Sequence, residues 1–309
     1  MCGSDVHGMD GSTGRRQPPI IMGHEASGVV EKCGERVVNF HVGDRVTFDS
    51  TIFCGECEMC RAGDVNLCEN RRVLGVSCDD YRLHGAFADY VAVPERVLYR
   101  LPDSVSFVEA AMVEPLAIAY HAAMRVQIHE KSTALVVGVG TIGLLVLQVA
   151  KAMGADEIIA VDIDDSRLEM AKQLGATHCV NSLNDDAEAQ IRAYTKGGKG
   201  VDTAFDATGI SQTINLCLRV TRINGSVVLV GNLAQSVDFP LQWVVTRQQS
   251  LFGSCASAGE YQKCLELIAG RKINVAAMVS KEVPLSEGNE WIRRVYDREP
   301  GLYKIVLIP

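Results

Sequence analysis

The chain has no apolar run approaching the ~20 residues that a membrane-spanning helix needs; Leu144–Val149 is typical of what it offers. Positive charge is also in short supply. Thirty Lys and Arg against 38 Asp and Glu leave a net charge of −8, whereas nucleic acid or an anionic membrane as main partner calls for clustered positive charge. The close basic pairs Arg15-Arg16, Arg71-Arg72 and Arg293-Arg294 read as solvated surface. No apolar core of a secretory signal precedes Cys2, and there are neither internal repeats nor low-complexity tracts. Without such a signal, the 11 cysteines point to a reducing compartment, where thiols serve metals rather than disulfides. The expected location is the cytoplasm.

The chain's 309 residues, with 47% hydrophobic and 22% charged, predict a globular protein of two domains. Up to about Val113 it is rich in Gly, Cys and short β-branched runs. Ala26–Glu31, Asp44–Phe48 and Ala88–Val93 read there as strands of a mainly-β domain. From Leu116–Val126, a helix by periodicity, strand and helix signals alternate. Thr133–Gly140 is a strand buried on both faces, and Leu144–Met153 is a helix ended by Gly154. Glu157–Asp162 is the next strand; Asp165 or Ser166 caps the helix Arg167–Leu174, which Gly175 stops. Val201–Ala207, Ser226–Gly231 and Ser250–Cys255 supply further strands. Such alternation makes βαβ units and a doubly wound parallel sheet. The tail carries a helix, Gly259–Ile268, and a strand, Lys304–Ile308. The expected domains are 1–115, 116–254 and a return of 255–309 to the first.

Three constellations carry chemistry. In Cys54-x2-Cys57-x2-Cys60-x7-Cys68, four thiolates on one short loop can close a tetrahedral zinc site with no open position, hence a structural one. Reduced cysteines without metal and iron–sulfur ligation stand as alternatives. The second is Gly138-Val139-Gly140-Thr141-Ile142-Gly143, lying between a buried strand and a helix, as a Rossmann dinucleotide turn does. Gly138 permits the tight turn, Gly140 lets the backbone approach a pyrophosphate, and Gly143 allows close helix–strand packing. Asp162, at the end of the next strand, can accept both adenosine ribose hydroxyls. With Asp164 and Asp165 it repels a 2′-phosphate, which favours NAD over NADP. Arg167 reads equally as a ribose neighbour or a solvated helix arginine. The third is dispersed over Cys2 to His7, Gly23-His24-Glu25 and Glu114-Pro115: a thiolate, an imidazole and carboxylates, the donors of a catalytic zinc with a position left for substrate.

Cys-Gly-Ser-Asp-Val-His (2–7), Gly-His-Glu-Ala-Ser-Gly (23–28), Val-Gly-Asp-Arg-Val (42–46), the four-cysteine loop, Val-Glu-Pro (113–115), the glycine turn and Phe-Asp-Ala-Thr-Gly (205–209) occur in this order. The chain thereby resembles the medium-chain zinc alcohol dehydrogenases, in particular the branch of sorbitol, iditol and galactitol-phosphate dehydrogenases. The resemblance implies a six-stranded Rossmann sheet with an irregular, mainly-β GroES-like catalytic domain. It implies that Cys2, His24 and Glu25 hold a catalytic zinc, with Glu114 as fourth or exchanging ligand, and that Thr208 lies at the NAD. Asp5 would orient His24; Ser4 would bond the substrate hydroxyl, and His7 would pass its proton on. The expected activity is NAD-linked oxidation of a secondary hydroxyl of a small alcohol or polyol to a ketone, by a homodimer or homotetramer.

Two departures qualify this expectation. The family has further residues before the Cys-Gly-Ser-Asp segment, here preceded only by Met1, so an impaired NAD- and zinc-binding form is the alternative, with a weak catalytic zinc. Polyol dehydrogenases also commonly carry Tyr where Gly8 stands, and an Arg where Cys255-Ala256 falls. That leaves a smaller diol, a sugar alcohol phosphate or a 3-hydroxy amino acid such as threonine as substrates. A zinc-independent enone reductase is disfavoured by Glu25 and the complete cysteine loop.

Overall fold

A computed structural model describes residues 1–309 except 10, 12–15, 77–81, 185 and 298. The chain divides into two units, Met1–Ala117 with Ser257–Pro309, and Ile118–Ala256.

The second unit is built on six parallel strands. Thr133–Val137 is central, flanked by Glu157–Asp162 and then His178–Asn181 on one side. On the other lie Val201–Asp206, Thr221–Leu229 and Ser250–Gly253. The chain winds outward one way, returns to the middle and winds outward the other way. The crevice where the order reverses therefore lies at the carboxyl ends of Thr133–Val137 and Val201–Asp206, where such sheets bind ligands. Leu135, Val137, Ile159, Val161, Ala204 and Val227 bury one shared face against Ile214, Cys217 and Leu218; the last three come from the helix Ser211–Val220. The alternate residues Ala134, Val136, Ile158, Ala160, Phe205 and Val228 are buried as well, and burial of both faces explains why the strands read as unbroken apolar runs.

Boundaries moved for local reasons. The helix after Glu157–Asp162 begins at Asp165, one residue beyond its cap Asp164, whose carboxylate accepts from Ser166 N at 2.8 Å. Neither Asp165 nor Ser166 is the cap. Gly175 ends that helix at φ 114°.

The first unit holds an antiparallel sheet of Ser27–Val29, Arg45–Phe48 and Leu98–Arg100. A small sheet of Thr51–Ile52, Arg72–Leu74 and Arg82–Leu83 accompanies it, with a parallel pair Val279–Pro284 and Lys304–Ile308. Ala88–Val93 forms no strand. Val91 and Val93 pack against the cluster of Phe48, Leu74 and Val97, so the alternation there reports one buried face and not strand pairing. The helix Gly288–Tyr296 and its partner strand Val279–Pro284 escaped the sequence reading; Trp291 and Ile292 bury the helix's apolar face. Among the described residues no helix is long and apolar enough to cross a membrane.

Candidate metal centres and dinucleotide turn

His24 is delivered by a clasped loop. Gly85, Ala86 and Phe87 donate their amides to the carbonyls of Ile21, Gly23 and Met22 at 2.7, 2.8 and 2.9 Å. Gly23 sits at φ +93°, where a Cβ would stand 2.4 Å from the Phe87 ring. Only glycine fits that crossing, and the next two residues, His24 and Glu25, are thereby fixed. Cys2 starts the short helix Gly3–Val6. One ligand atom from each of Cys2, His24 and Glu25 lies within 4.8 Å of the others, so the structure brings these three together.

Glu114 is not brought into this 4.8 Å group; it lies close enough to feel the charges of His24, Glu25 and Cys2, a buried carboxyl, 9% exposed, whose Oε2 has no hydrogen-bond partner among the described residues. Burial, aided by the neighbouring Glu25 and Cys2 charges, pushes its pKa well above the carboxylate range. Glu25 goes the other way. Burial opposes its charge, but the Lys304 ammonium, itself 3% exposed, pairs with Oε2 and holds the pKa down. Its Oε1 is left buried and without partner. At Cys2 burial and Glu25 work against a thiolate, yet His24 and Lys304 still bring the pKa below its usual value. A cysteine sulfur, an imidazole and two buried carboxyl oxygens without a hydrogen-bond partner among the described residues fit a divalent cation of zinc's ligand preference.

Around these donors, His24 Nδ1 lies 3.3 Å from Asp5 Oδ1, an arrangement that leaves Nε2 for a metal. Ser4 Oγ is 3.3 Å from Cys2 Sγ and 3.5 Å from His24 Nε2. His7 is exposed just past the end of the helix. Two residues missed from the sequence complete the site. Lys304 opens an apolar strand, and a buried lysine there signals a hidden partner. Arg16 overturns the surface reading of its pair. It is 4% exposed and bonded to Asp5 and Ser4, while Arg15 lies outside the described residues.

The four cysteines of the loop also converge, with all sulfurs within 4.8 Å of one another. Cys54 Sγ and Cys60 Sγ are 3.9 Å apart, close to the ~3.8 Å edge of a tetrahedron with zinc–sulfur bonds of about 2.3 Å. A cluster of several irons would hold its ligands farther apart. The amides of Glu56 and Cys57 point at Cys54 Sγ and lower its pKa to about 6, whereas burial raises that of Cys60 to about 12.

In the second unit the glycine turn has the shape of a pyrophosphate cradle. A Cβ on Gly138 would lie 2.3 Å from Thr208 Oγ1, and one on Gly143 only 1.9 Å from Gly138 O, while nothing lies within 4 Å of a Cβ on Gly140. Turn and Thr208 are thus pressed together, with open space over Gly140 where a ligand's phosphates can approach. Gly140 caps the helix Thr141–Ala152, which starts at Thr141, ahead of Ile142. Asp162 Oδ2 accepts from Val139 N at 2.8 Å, tying the turn to the neighbouring strand end. Arg167 is 46% exposed and stands 3.9 Å from Asp162 and 4.0 Å from Asp164.

Comparison with known proteins gives a consistent result. Residues 141–270 match the family described as zinc-binding dehydrogenase, and residues 1–103 match the alcohol dehydrogenase GroES-like domain. The chain is 35% identical over 302 residues to a probable D-xylulose reductase A of Aspergillus clavatus, covering 96% of this chain and 83% of that one. It is 32% identical to a sorbitol dehydrogenase of Bacillus subtilis, covering 100% and 87%. Among solved structures, 2R,3R-butanediol dehydrogenase from Bacillus subtilis is similar, with a TM-score of 0.89 at 31% identity, covering 100% of this chain and 89% of that one.

Proposed function

Since the chain belongs to the medium-chain zinc-containing alcohol dehydrogenases, in their polyol branch, we propose that Cys2, His24, Glu25 and Glu114 form its substrate-activating zinc site and Ser4 the first step of its proton path. The activity is the NAD-linked oxidation of a secondary hydroxyl of a small alcohol or polyol to a ketone. The observation that carries the site is the convergence of Cys2, His24 and Glu25 beside the unpartnered oxygens Glu25 Oε1 and Glu114 Oε2.

A zinc ion held there supplies Lewis-acid polarisation of a hydroxyl oxygen, and NAD in the glycine cradle supplies the hydride acceptor. The protein's own residues do the rest. Asp5 Oδ1 stands 3.3 Å from His24 Nδ1, near enough to favour the ring orientation that turns Nε2 to the cation, although not in hydrogen-bond geometry. Ser4 Oγ, beside both Cys2 and His24, accepts the proton of the substrate hydroxyl as it gives up its own, and exposed His7 passes that proton on to water. Lys304 occupies one oxygen of Glu25 and leaves the other for the metal. Asp162, with Asp164 close by, favours NAD over a 2′-phosphorylated dinucleotide, and Thr208 packs against the turn. Cys54, Cys57, Cys60 and Cys68 hold a second, structural zinc.

The test is NAD reduction over a panel of polyols, vicinal diols and threonine, with wild type and Ser4→Ala, before and after chelation. The expected result is chelator-sensitive turnover on a polyol or diol, with Ser4→Ala keeping zinc and NAD but losing about 100-fold or more in turnover. Undiminished turnover in Ser4→Ala removes Ser4 from the path. Turnover on threonine alone assigns another substrate. The homodimer or homotetramer expected from the resemblance is tested by light scattering of the purified protein, and the expected cytoplasmic location by fractionation of the cells that make it.

A further inference from the structure

We infer that Arg16 is a positioning residue of the Cys2–His24–Glu25 centre, and that Gly8 is what admits it. The inference deepens the reading of Ser4 given above and rests on it.

Arg16 reaches Asp5 Oδ1 with Nε at 3.3 Å and Nη2 at 3.1 Å, and Nη2 also donates to Ser4 Oγ at 3.1 Å. The same Asp5 oxygen lies 3.3 Å from His24 Nδ1. One guanidinium therefore ties together the carboxylate that orients His24 and the hydroxyl of the proton path. A guanidinium only donates, so Ser4 Oγ accepts from it and the serine's own proton must point elsewhere. Within reach are Cys2 Sγ at 3.3 Å and His24 Nε2 at 3.5 Å. Arg16 thus fixes the Ser4 oxygen beside the metal donors and leaves it one lone pair with which to accept the substrate's proton. The fork on Asp5 is also what allows an arginine to be 4% exposed, since a buried cation needs a paired anion.

Gly8 makes the path. A Cβ there would stand 2.2 Å from Arg16 Cγ, 2.9 Å from the Ser4 carbonyl oxygen and 3.0 Å from Arg16 Cβ, so it would press on the Arg16 stem first and on the Ser4 backbone next. The glycine at which the sequence departs from the polyol pattern is therefore the floor on which the Arg16 stem lies, and any side chain would displace it.

The experiment compares Arg16→Gln, Arg16→Lys, Gly8→Ala, Ser4→Ala and the Ser4→Ala/Arg16→Gln double variant, loaded with zinc for kinetics and with cobalt(II) for visible spectra without substrate. Arg16→Gln is expected to lower kcat about 10- to 100-fold, leave KM for NAD within about twofold, and shift the cobalt bands because His24 reorients. Arg16→Lys, which keeps the charge and loses the fork, recovers only part of kcat. Gly8→Ala, with every charge in place, reproduces the Arg16→Gln loss. The double variant is slower than Ser4→Ala, but by a smaller factor than Arg16→Gln alone, since the part exerted through Ser4 is already lost. Additive losses, or unchanged kcat and spectrum in folded Arg16→Gln, overturn the inference. If Arg16→Gln does not fold, wild-type kcat in both Arg16→Lys and Gly8→Ala overturns it. Full turnover in Ser4→Ala overturns the reading beneath it, whereas a slow Ser4→Ala beside a fast Arg16→Gln removes Arg16 alone.

Discussion

Lys304 and Glu25, 279 positions apart in sequence, form an ion pair whose side chains are 3% and 4% exposed. The pair joins the C-terminal strand Lys304–Ile308 to the loop that carries His24. Its local effect is to spend one oxygen of Glu25 on an internal cation and free the other.

Removing the cation takes away the largest of the attractions that keep the buried Glu25 carboxylate charged, leaving the weaker ones of the Met1 amino group and His24. Lys304→Met is expected to cost the metal-stripped protein about 3–5 kcal/mol, read as a lower urea midpoint. An unpaired Glu25 regains neutrality by binding a proton, so the deficit shrinks as pH falls from 8 to 5. A loss of the same size at both pH values shows that Glu25 stays ionised without Lys304.

Much of this architecture was legible and some was not, for definable reasons. The glycine turn, the four-cysteine loop and the strand Glu157–Asp162 are local patterns, each complete within about twenty residues. Glu25 was legible beside His24, whereas Glu114 stands among apolar residues and drew its metal role only from the resemblance. Lys304 and Arg16 were not legible, because nothing beside them in sequence announces a partner: one pairs across 279 positions, the other across eleven, with its side-chain stem against Gly8. The helix Gly288–Tyr296 was missed because nine residues offer few turns of periodicity, and its apolar face is only Trp291, Ile292 and Val295. Ala88–Val93 failed in the opposite sense, its alternation being one of burial.

Asp49 carries a pH dependence outside the metal sites. Burial raises its pKa to about 7, although the Thr51 amide bonded to Oδ1 at 2.8 Å works against the rise. The folded protein thus holds a proton that the unfolded chain releases near pH 4. Asp49 is at its most favourable below that pH, and stability is lost as pH climbs toward about 7. Asp49→Asn keeps an acceptor for Thr51 N and has no proton to lose. It is expected to be more stable than wild type at pH 8, by on the order of a few kcal/mol, and near equal at pH 4. Parallel urea midpoints at all pH values contradict this assignment.

The glycine turn makes a steric prediction. The Cβ of Gly143→Ala would lie 1.9 Å from the Gly138 carbonyl oxygen, and neither backbone can yield without parting turn from helix. The variant is expected to weaken NAD binding at least about 100-fold, or roughly 3 kcal/mol, by fluorescence titration. Zinc content should stay at two per chain, since every metal donor belongs to the other unit. Gly140→Ala meets no protein atom within 4 Å; it is expected to fold normally and lose affinity only because its methyl occupies the ligand's space. Unchanged NAD affinity there would place the pyrophosphate elsewhere.

The cysteine loop tests whether one metal can be removed without the other. The loop has a five-residue helix, Glu58–Ala62, with no buried residue, so little besides the sulfurs holds it. Cys60→Ser replaces a soft thiolate by a hydroxyl that zinc binds poorly. Zinc is expected to fall from two to one per chain, with NAD binding intact and the thermal midpoint lower by about 5–10 °C. Arg61, which in the folded loop bonds the Glu56 carbonyl, should become a tryptic cleavage site. Two zinc ions in Cys60→Ser would show that three thiolates suffice, and a protein with none would mean that the two centres are not independent.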